Sequence, residues 1–119
     1  KDFLFVHVEA TDEAGHMGAA DKKVQALEDF DEKVVGTILN GLGAFPEWRV
    51  LLMPDHATPV QIKTHSDDPV PFAVVSSQEW KNGTPRAVSY NESSAKGTGL
   101  VVPEAYQIMK QFIQGQAIG

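Results

Sequence analysis

Two apolar runs in the first half of the chain have the pattern of buried strands. Residues 3–8 read Phe-Leu-Phe-Val-His-Val, so both faces of an extended chain would be mostly apolar. Residues 48–53, which read Trp-Arg-Val-Leu-Leu-Met, form a second run that ends at Pro54. Strands that are apolar on both faces are typical of parallel sheets covered by helices on either side. The pattern therefore predicts a strand at each run.

Between these runs, the spacing of the apolar residues changes to that of a helix. From about Asp21 to Leu42 they recur three and four positions apart, which predicts one long amphipathic helix. The stripe that we expect to pack in the core comprises Val24, Leu27, Val34, Val35, Ile38, Leu39 and Leu42. A strand, a long helix and a second strand make a βαβ unit, in which the strands are parallel and the crossover is right-handed.

The second half of the chain predicts one more strand and one more helix. A short strand near Phe72 to Ser76 follows two prolines, which suit a strand start or a sheet edge. A final helix is predicted from about Pro103 to Gln114, with the proline in its first turn. The polar stretches 9–18 and 55–68 are predicted to be loops, and 78–99 an irregular excursion. The expected fold class is α/β, with an open, mostly parallel sheet flanked by helices.

Composition and charge exclude several classes of function. The 119 residues make one domain at most, or a piece of a larger one. Ten basic against 16 acidic residues give a net charge of −6, which argues against a nucleic-acid-binding surface. No stretch approaches the ~18 unbroken apolar residues of a membrane helix. The absence of cysteine excludes thiolate metal sites and fits a cytoplasmic setting. The oligomeric state stays open.

Histidine and aspartate residues gather in the two polar loops. The first loop contains Asp12 and His16, and the second contains Asp55, His56 and His65. Each loop directly follows a predicted strand, and ligand sites in open α/β sheets lie at the carboxyl ends of the strands. Parallel neighbouring strands would therefore bring all five side chains to one cleft. Carboxylate and imidazole ligands without sulfur suit Mn²⁺, Mg²⁺ or Zn²⁺.

The number of ligands favours two ions over one. Five are too many for a single site with an open position, and two ions can clamp a phosphoryl group from both sides. Taken singly, each residue has an ordinary interpretation: Asp12 as a turn residue or helix cap, His16 as a solvated loop residue, and Asp55-His56 as a turn dipeptide. Their joint placement after two predicted strands favours the metal site. His7, within the first predicted strand, is assigned to the core or to the floor of the cleft.

The spacing of these residues resembles that of a known enzyme family. The motifs are Asp12-xxx-His16-x-Gly18, Asp55-His56-x-Thr58-Pro59, and His65 followed by Pro-Val-Pro-Phe. They resemble the alkaline-phosphatase superfamily and, within it, the cofactor-independent phosphoglycerate mutases of the archaeal type, a group that also has bacterial members. The segments 7–16 and 23–31 also have the look of that family. The resemblance covers roughly residues 3–114.

The resemblance implies a function and a ligand set. The function is that of a cytoplasmic glycolytic isomerase, which interconverts 3- and 2-phosphoglycerate through a phosphoserine intermediate. Two divalent ions serve as cofactors, with Mn²⁺ expected first and Mg²⁺ or Zn²⁺ as alternatives. By resemblance, Asp12, His16 and His65 hold one ion, while Asp55 and His56 supply part of the second. The expected partner is a phosphorylated small molecule, with no nucleic acid and no membrane.

The resemblance also implies that residues 1–119 are the C-terminal portion of a metal-binding catalytic domain with an alkaline-phosphatase-like sheet. The chain opens within a predicted strand, and the family's nucleophilic serine motif and inserted substrate domain are not recognisable in it. We therefore expect no catalytic nucleophile here, an inactive isolated chain, and aggregation through an exposed strand edge. Two alternatives remain: a sibling phosphatase or homoserine-kinase-like phosphotransferase on the same site, and a non-catalytic α/β module.

Overall fold

In the computed structural model, the described residues (2–83 and 89–118) divide into two units. The first extends to Ala44 and includes His56–Pro69; the second comprises Phe45–Asp55 and the residues from Val70 onwards. The elements in chain order are α1 (Ala10–His16), α2 (Ala20–Asp29), a π-helical segment (Phe30–Val35), α3 (Gly36–Leu42), β1 (Arg49–Leu52), β2 (Ala73–Ser76), α4 (Ser77–Asn82), α5 (Glu92–Gly97), a 3₁₀ turn (Ala105–Gln107) and α6 (Ile108–Gln114). The predicted mixture of helices and strands is confirmed.

The long helix of the first unit lies where the sequence predicts it. Helical backbone runs from Ala20 to Leu42, and its middle widens into the π-helical segment, a change that apolar periodicity does not show. The expectation that its apolar stripe is buried is wrong: no residue of this helix is buried, and Val24 and Leu27 are about half exposed. Within the unit, helix α1 packs on α2. Helix α1 is only about 10 Å long, which is too short to cover the apolar stripe.

Helix α1 lies in a stretch that the sequence predicted to be a loop. Residues 9–18 contain glycines that favoured the loop prediction, but α1 occupies most of this stretch. It ends in a Schellman motif, in which the Ala19 amide donates to the Ala14 carbonyl and the Gly18 amide donates to the Gly15 carbonyl. The φ of Gly18 is 68°, a left-handed conformation that glycine adopts without strain. Gly18 therefore marks the end of a helix rather than a loop.

The apolar run at residues 3–8 is not a strand in the described structure, so that prediction is wrong. The run has no strand partner in the described ranges, and Phe3, Leu4, Phe5 and Val6 are exposed. A strand forms only where a neighbouring chain takes up its backbone hydrogen bonds, and the apolar pattern cannot show that a neighbour is present. His7 is likewise exposed, near Glu9, so its assignment to a core is also wrong.

The two described strands lie within the predicted runs but pair differently from the prediction. β1 and β2 are antiparallel, with Arg49 opposite Ser76 and Leu52 opposite Ala73. The predicted βαβ unit requires β1 to pair in parallel with residues 3–8, and this pairing is not found in the described chain. Sequence periodicity identifies the strands, but it does not determine which strand lies beside which.

The predicted irregular stretch 78–99 contains most of helix α4 and all of helix α5, while its residues 84–88 lie outside the described part of the chain. Helix α4 begins with a capping box, in which the Ser76 hydroxyl accepts from the Glu79 amide and the Glu79 carboxylate accepts from the Ser76 amide. Local side-chain capping therefore starts a helix that has too few apolar residues to show a helical period.

The last helix begins later than predicted. The 3₁₀ turn follows Pro103 and leads directly into α6, so the proline precedes the helix instead of occupying its first turn. Ile108 is buried in the second unit, whereas Ile113 on the same helix is exposed. None of the helices in the described ranges is both long enough and apolar enough to cross a membrane.

The exposed apolar run predicts self-association of the chain. Leu4 and Phe5 are 73% and 69% exposed, beside backbone with no strand partner in the described structure. We expect sedimentation velocity to show oligomers of the 119-residue chain, and the double change Leu4→Lys and Phe5→Lys to shift them towards monomer. The matched control is Val101→Lys with Tyr106→Lys, at two residues that are 76% and 79% exposed. A cooperative wild-type monomer would contradict this expectation.

The close approach of Thr58 to Gly15 predicts that a single methyl group added at Gly15 destabilises the fold. A Cβ atom at Gly15 would lie 2.5 Å from the Thr58 carbonyl oxygen, a backbone atom that cannot rotate away. Gly15→Ala should therefore lower the free energy of unfolding by about 1–3 kcal/mol. Gly41→Ala is the control, since no heavy atom of the described residues beyond its chain neighbours and its own helix backbone lies within 4 Å of the added Cβ. This change should stabilise α3 by about 0.5–1 kcal/mol. Urea unfolding compares the two, and equal effects would exclude the close approach.

Candidate metal centre

Helix α1 places two of the predicted ligands on one face. Asp12 and His16 are four residues apart, so a helix brings their side chains together. The distance from Asp12 Oδ2 to His16 Nε2 is 3.3 Å. The helix therefore provides the proximity that the sequence argument expected from a loop.

A turn in the segment His56–Pro69 brings two further histidines to the same place. Ala57 and Ser66 form an isolated antiparallel bridge, in which the Ser66 amide donates to the Ala57 carbonyl at 3.0 Å. The flanking residues His56 and His65 consequently lie side by side, with ring centroids 3.5 Å apart. Residues nine positions apart thus become neighbours through one backbone pairing.

Asp12, His16 and His65 form a triangle of residues, to which Asp12 contributes one carboxylate oxygen on each of its two sides. His65 Nε2 lies 3.2 Å from His16 Nε2 and 3.3 Å from Asp12 Oδ1. Two ligands bound about 2.1 Å from one ion at a tetrahedral angle lie roughly 3.4 Å apart. The sides of the triangle, with the 3.3 Å between Asp12 Oδ2 and His16 Nε2, match that spacing. These three residues fit the binding of one divalent ion.

His56 lies in the same cluster. The ligand atoms of Asp12, His56 and His65 all lie within 4.8 Å of one another. Asp55 belongs to the second unit of the chain, whereas the other four predicted ligands belong to the first. The structure therefore brings together four of the five residues that the sequence singled out, and a role for Asp55 remains a prediction.

A backbone carbonyl orients the ring of His16. His16 Nδ1 lies 3.0 Å from the carbonyl oxygen of Lys63. Because a carbonyl oxygen only accepts hydrogen bonds, the Nδ1 atom carries the proton in this contact. In a neutral ring, Nε2 then has the lone pair that a metal would bind. Lys63 has a φ of 55°, a left-handed conformation that is uncommon for a residue other than glycine.

The carboxylate at the centre of the cluster is held in its charged form. The hydroxyl of Thr58 donates to Asp12 Oδ1 at 2.6 Å, and this bond is the main cause that lowers the pKa of Asp12. Burial acts in the opposite direction, and the neighbouring histidines lower the pKa further. Because the pKa is lowered, Asp12 stays ionised to a lower pH than an ordinary aspartate and remains available to a cation.

Two residues of the centre received no role from the sequence. Thr58 stands in a motif noted there, but its burial and its bond to Asp12 follow only from the contact with α1. Lys23 donates from Nζ to the Thr58 carbonyl oxygen at 2.6 Å, across 35 positions of sequence. For Thr58, the sequence offered one signal, which is a residue with a hydroxyl group two positions after His56. For Lys23, no local pattern could have indicated the contact.

The chain is similar to one protein family over most of its length. The model of the Metalloenzyme superfamily matches residues 1–111. A Geobacter sulfurreducens protein named "Probable 2,3-bisphosphoglycerate-independent phosphoglycerate mutase" is 44% identical over 112 residues, which are 94% of this chain and 28% of the relative. The 2,3-bisphosphoglycerate-independent phosphoglycerate mutase of Methanosarcina barkeri is 46% identical over 117 residues, which are 98% of this chain and 29% of the relative.

The similarity concerns only part of each relative. The mutase of the same name from Methanothrix thermoacetophila is 43% identical over 115 residues, which are 96% of this chain and again 29% of the relative. The chain thus spans less than a third of the length of the curated relatives that it matches. No solved structure matches the chain significantly.

Removing one corner of the triangle should abolish tight metal binding. His16→Ala and His65→Ala each delete a ligand. Substitution of residues that only hydrogen-bond to ligands already lowers metal affinity 10–100-fold, so we expect the affinity for Mn²⁺ in calorimetric titrations to fall at least about 100-fold. His7→Ala is the matched control, because His7 pairs with Glu9 and does not belong to the cluster. Unchanged Mn²⁺ affinity in both triangle variants would contradict the assignment.

Proposed function

Because the chain belongs to the Metalloenzyme superfamily, we propose that it is the metal-binding part of a 2,3-bisphosphoglycerate-independent phosphoglycerate mutase. The observation that carries this proposal is the triangle of Asp12, His16 and His65, whose ligand atoms lie 3.2–3.3 Å apart. The triangle explains why a metalloenzyme family would need these residue types at this spacing. The names of the similar proteins give the proposed reaction.

The proposal assigns the ligands to two divalent ions. Asp12, His16 and His65 hold the first ion, and His56 contributes to the second together with Asp55. The ligands are one ionised carboxylate and neutral imidazoles, which suit borderline and hard ions, and Mn²⁺ is the ion that we propose. Bound ions would supply positive charge to the phosphoryl oxygens and to the attacking oxygen. Asp12 would partly neutralise that charge. The Lys63 carbonyl fixes the ring of His16, which binds the same ion as Asp12.

The nucleophile is proposed to lie outside the cluster. The hydroxyl of Thr58 lies 2.6 Å from Asp12 Oδ1, but Thr58 is 4% exposed and already donates its proton to Asp12. A buried hydroxyl in that position cannot approach a phosphoryl group. We therefore assign the attack to a serine in the part of the full-length protein that this chain does not include, with a phosphoserine as the intermediate.

We propose that residues 1–119 are the C-terminal portion of the catalytic domain. The remaining length of the relatives would then contain the serine segment and the inserted substrate domain, which chooses the phosphorylated glycerate. The apolar run 3–8, exposed here, would find strand neighbours in a mostly parallel sheet of the whole domain. The proposed setting is the cytoplasm, where glycolysis takes place.

The decisive assay uses the full-length polypeptide. We expect conversion of 3-phosphoglycerate to 2-phosphoglycerate with Mn²⁺ added and 2,3-bisphosphoglycerate omitted, and no conversion after chelation. Chelator-sensitive release of inorganic phosphate, or transfer to another acceptor, would keep the metal centre and replace the mutase with a sibling phosphotransferase. Conversion that persists in a chelated, metal-free preparation would contradict the proposed role of the cluster. Neither activity nor metal binding would favour a non-catalytic module.

A further inference from the structure

We propose that Thr58 is a positioning residue that aligns Asp12 and His56 for metal binding through one shared hydroxyl group. The inference rests on the proposed metal site and deepens it. It concerns a residue that binds no ion itself but determines which atoms of its two neighbours face the ion. The geometry of the hydroxyl and its burial carry the argument.

The hydroxyl of Thr58 has two polar neighbours. Oγ1 lies 2.6 Å from Asp12 Oδ1 and 3.2 Å from His56 Nδ1. The residue is almost completely buried, so water does not compete for these two contacts. One oxygen atom therefore connects a carboxylate on α1 with an imidazole on the segment that follows β1.

The single proton of the hydroxyl determines the direction of both bonds. An ionised carboxylate can only accept, so the hydroxyl proton of Thr58 is directed to Asp12. The hydroxyl oxygen then has lone pairs alone for His56, and the contact forms only if Nδ1 of His56 carries a proton. In a neutral ring, Nε2 of His56 is then the unprotonated nitrogen, the one that can bind an ion.

The same tautomer results at His16 by a different route, because the Lys63 carbonyl accepts from His16 Nδ1. Two imidazoles of the cluster are thus held in the tautomer that leaves Nε2 unprotonated. A metal-ligating histidine commonly donates its other ring nitrogen to a carbonyl, carboxylate or other acceptor, which fixes the ring orientation. Thr58 is the acceptor for His56, and the Lys63 carbonyl is the acceptor for His16.

Thr58 is itself fixed from two sides. Lys23 donates from Nζ to the Thr58 carbonyl oxygen at 2.6 Å. On the other side, Gly15 brings the α1 backbone so close that an added Cβ would lie 2.8 Å from Thr58 Cγ2. The side chain therefore has little freedom to rotate the hydroxyl away from Asp12. This arrangement distinguishes a positioned hydroxyl from one that merely fills space.

Two substitutions separate the hydroxyl from the shape of the side chain. Thr58→Val keeps the methyl group that packs beside Gly15 and removes the hydroxyl. Thr58→Ser removes that methyl group and keeps the hydroxyl. A packing role predicts that the serine variant is impaired and the valine variant is mild, whereas the positioning role predicts the reverse. Thr37→Val on the exposed face of α3 is the control for the isosteric change.

The first measurement is the tautomer of His56 in the metal-free protein, observed by long-range ¹H–¹⁵N correlation spectra. We expect the Nδ1–H form in the wild type and in Thr58→Ser, and a growing share of the Nε2–H form in Thr58→Val. A wild-type His56 in the Nε2–H form, or a tautomer that does not change in Thr58→Val, would overturn the proposal. Because no metal is present, this result is independent of the mutase assay.

The second measurement is the Mn²⁺ affinity of the same proteins by calorimetry. We expect Thr58→Val to weaken binding about 10–100-fold, and Thr58→Ser and Thr37→Val to bind like the wild type. Wild-type affinity in Thr58→Val, or an equal loss in Thr58→Ser, would overturn the positioning role alone. A wild type that binds no Mn²⁺ would remove the proposed metal site, and this role with it.

Discussion

The close packing of helix α1 against the segment His56–Pro69 is the contact on which the candidate site depends. Gly15 permits it, because its missing side chain leaves room for the backbone of Thr58. Two hydrogen bonds connect the same two surfaces: the Thr58 hydroxyl donates to Asp12, and His16 donates to the Lys63 carbonyl. If the surfaces moved apart, the ligands from α1 and those from the later segment would separate, and no cluster would remain.

The charges within the cluster explain why this contact serves a cation. His16 Nε2, with its lone pair, faces the Asp12 carboxylate at 3.3 Å and His65 Nε2 at 3.2 Å. Where two facing atoms both carry lone pairs, they repel at such distances unless a proton or a cation lies between them. The Asp12 carboxylate brings a negative charge to the cluster, and its lowered pKa keeps that charge to a lower pH than in an ordinary aspartate. A divalent ion would bind all three residues at once.

Local sequence patterns predicted several helices and strands correctly. Where the structure differs from the prediction, the difference depends on long-range contacts. The helix around Val34 and the strand around Leu51 have clear periodicities, and both form where predicted. The run 3–8 has an equally clear pattern but lacks a strand partner in the described chain, so its pattern alone does not make it a strand. Residue types and spacing singled out five candidate ligands, and the structure brings four of them together. The contributions of Lys23 and Thr58 could not, since each depends on residues more than thirty positions away.

The most direct test of the central claim is the position of a bound ion. Anomalous diffraction from crystals of the protein grown with Mn²⁺ would show where the metal lies. The account predicts a peak within bonding distance of an Asp12 carboxylate oxygen and of Nε2 of both His16 and His65. A peak at other residues, or none at these three in crystals that contain Mn²⁺ elsewhere, would contradict it.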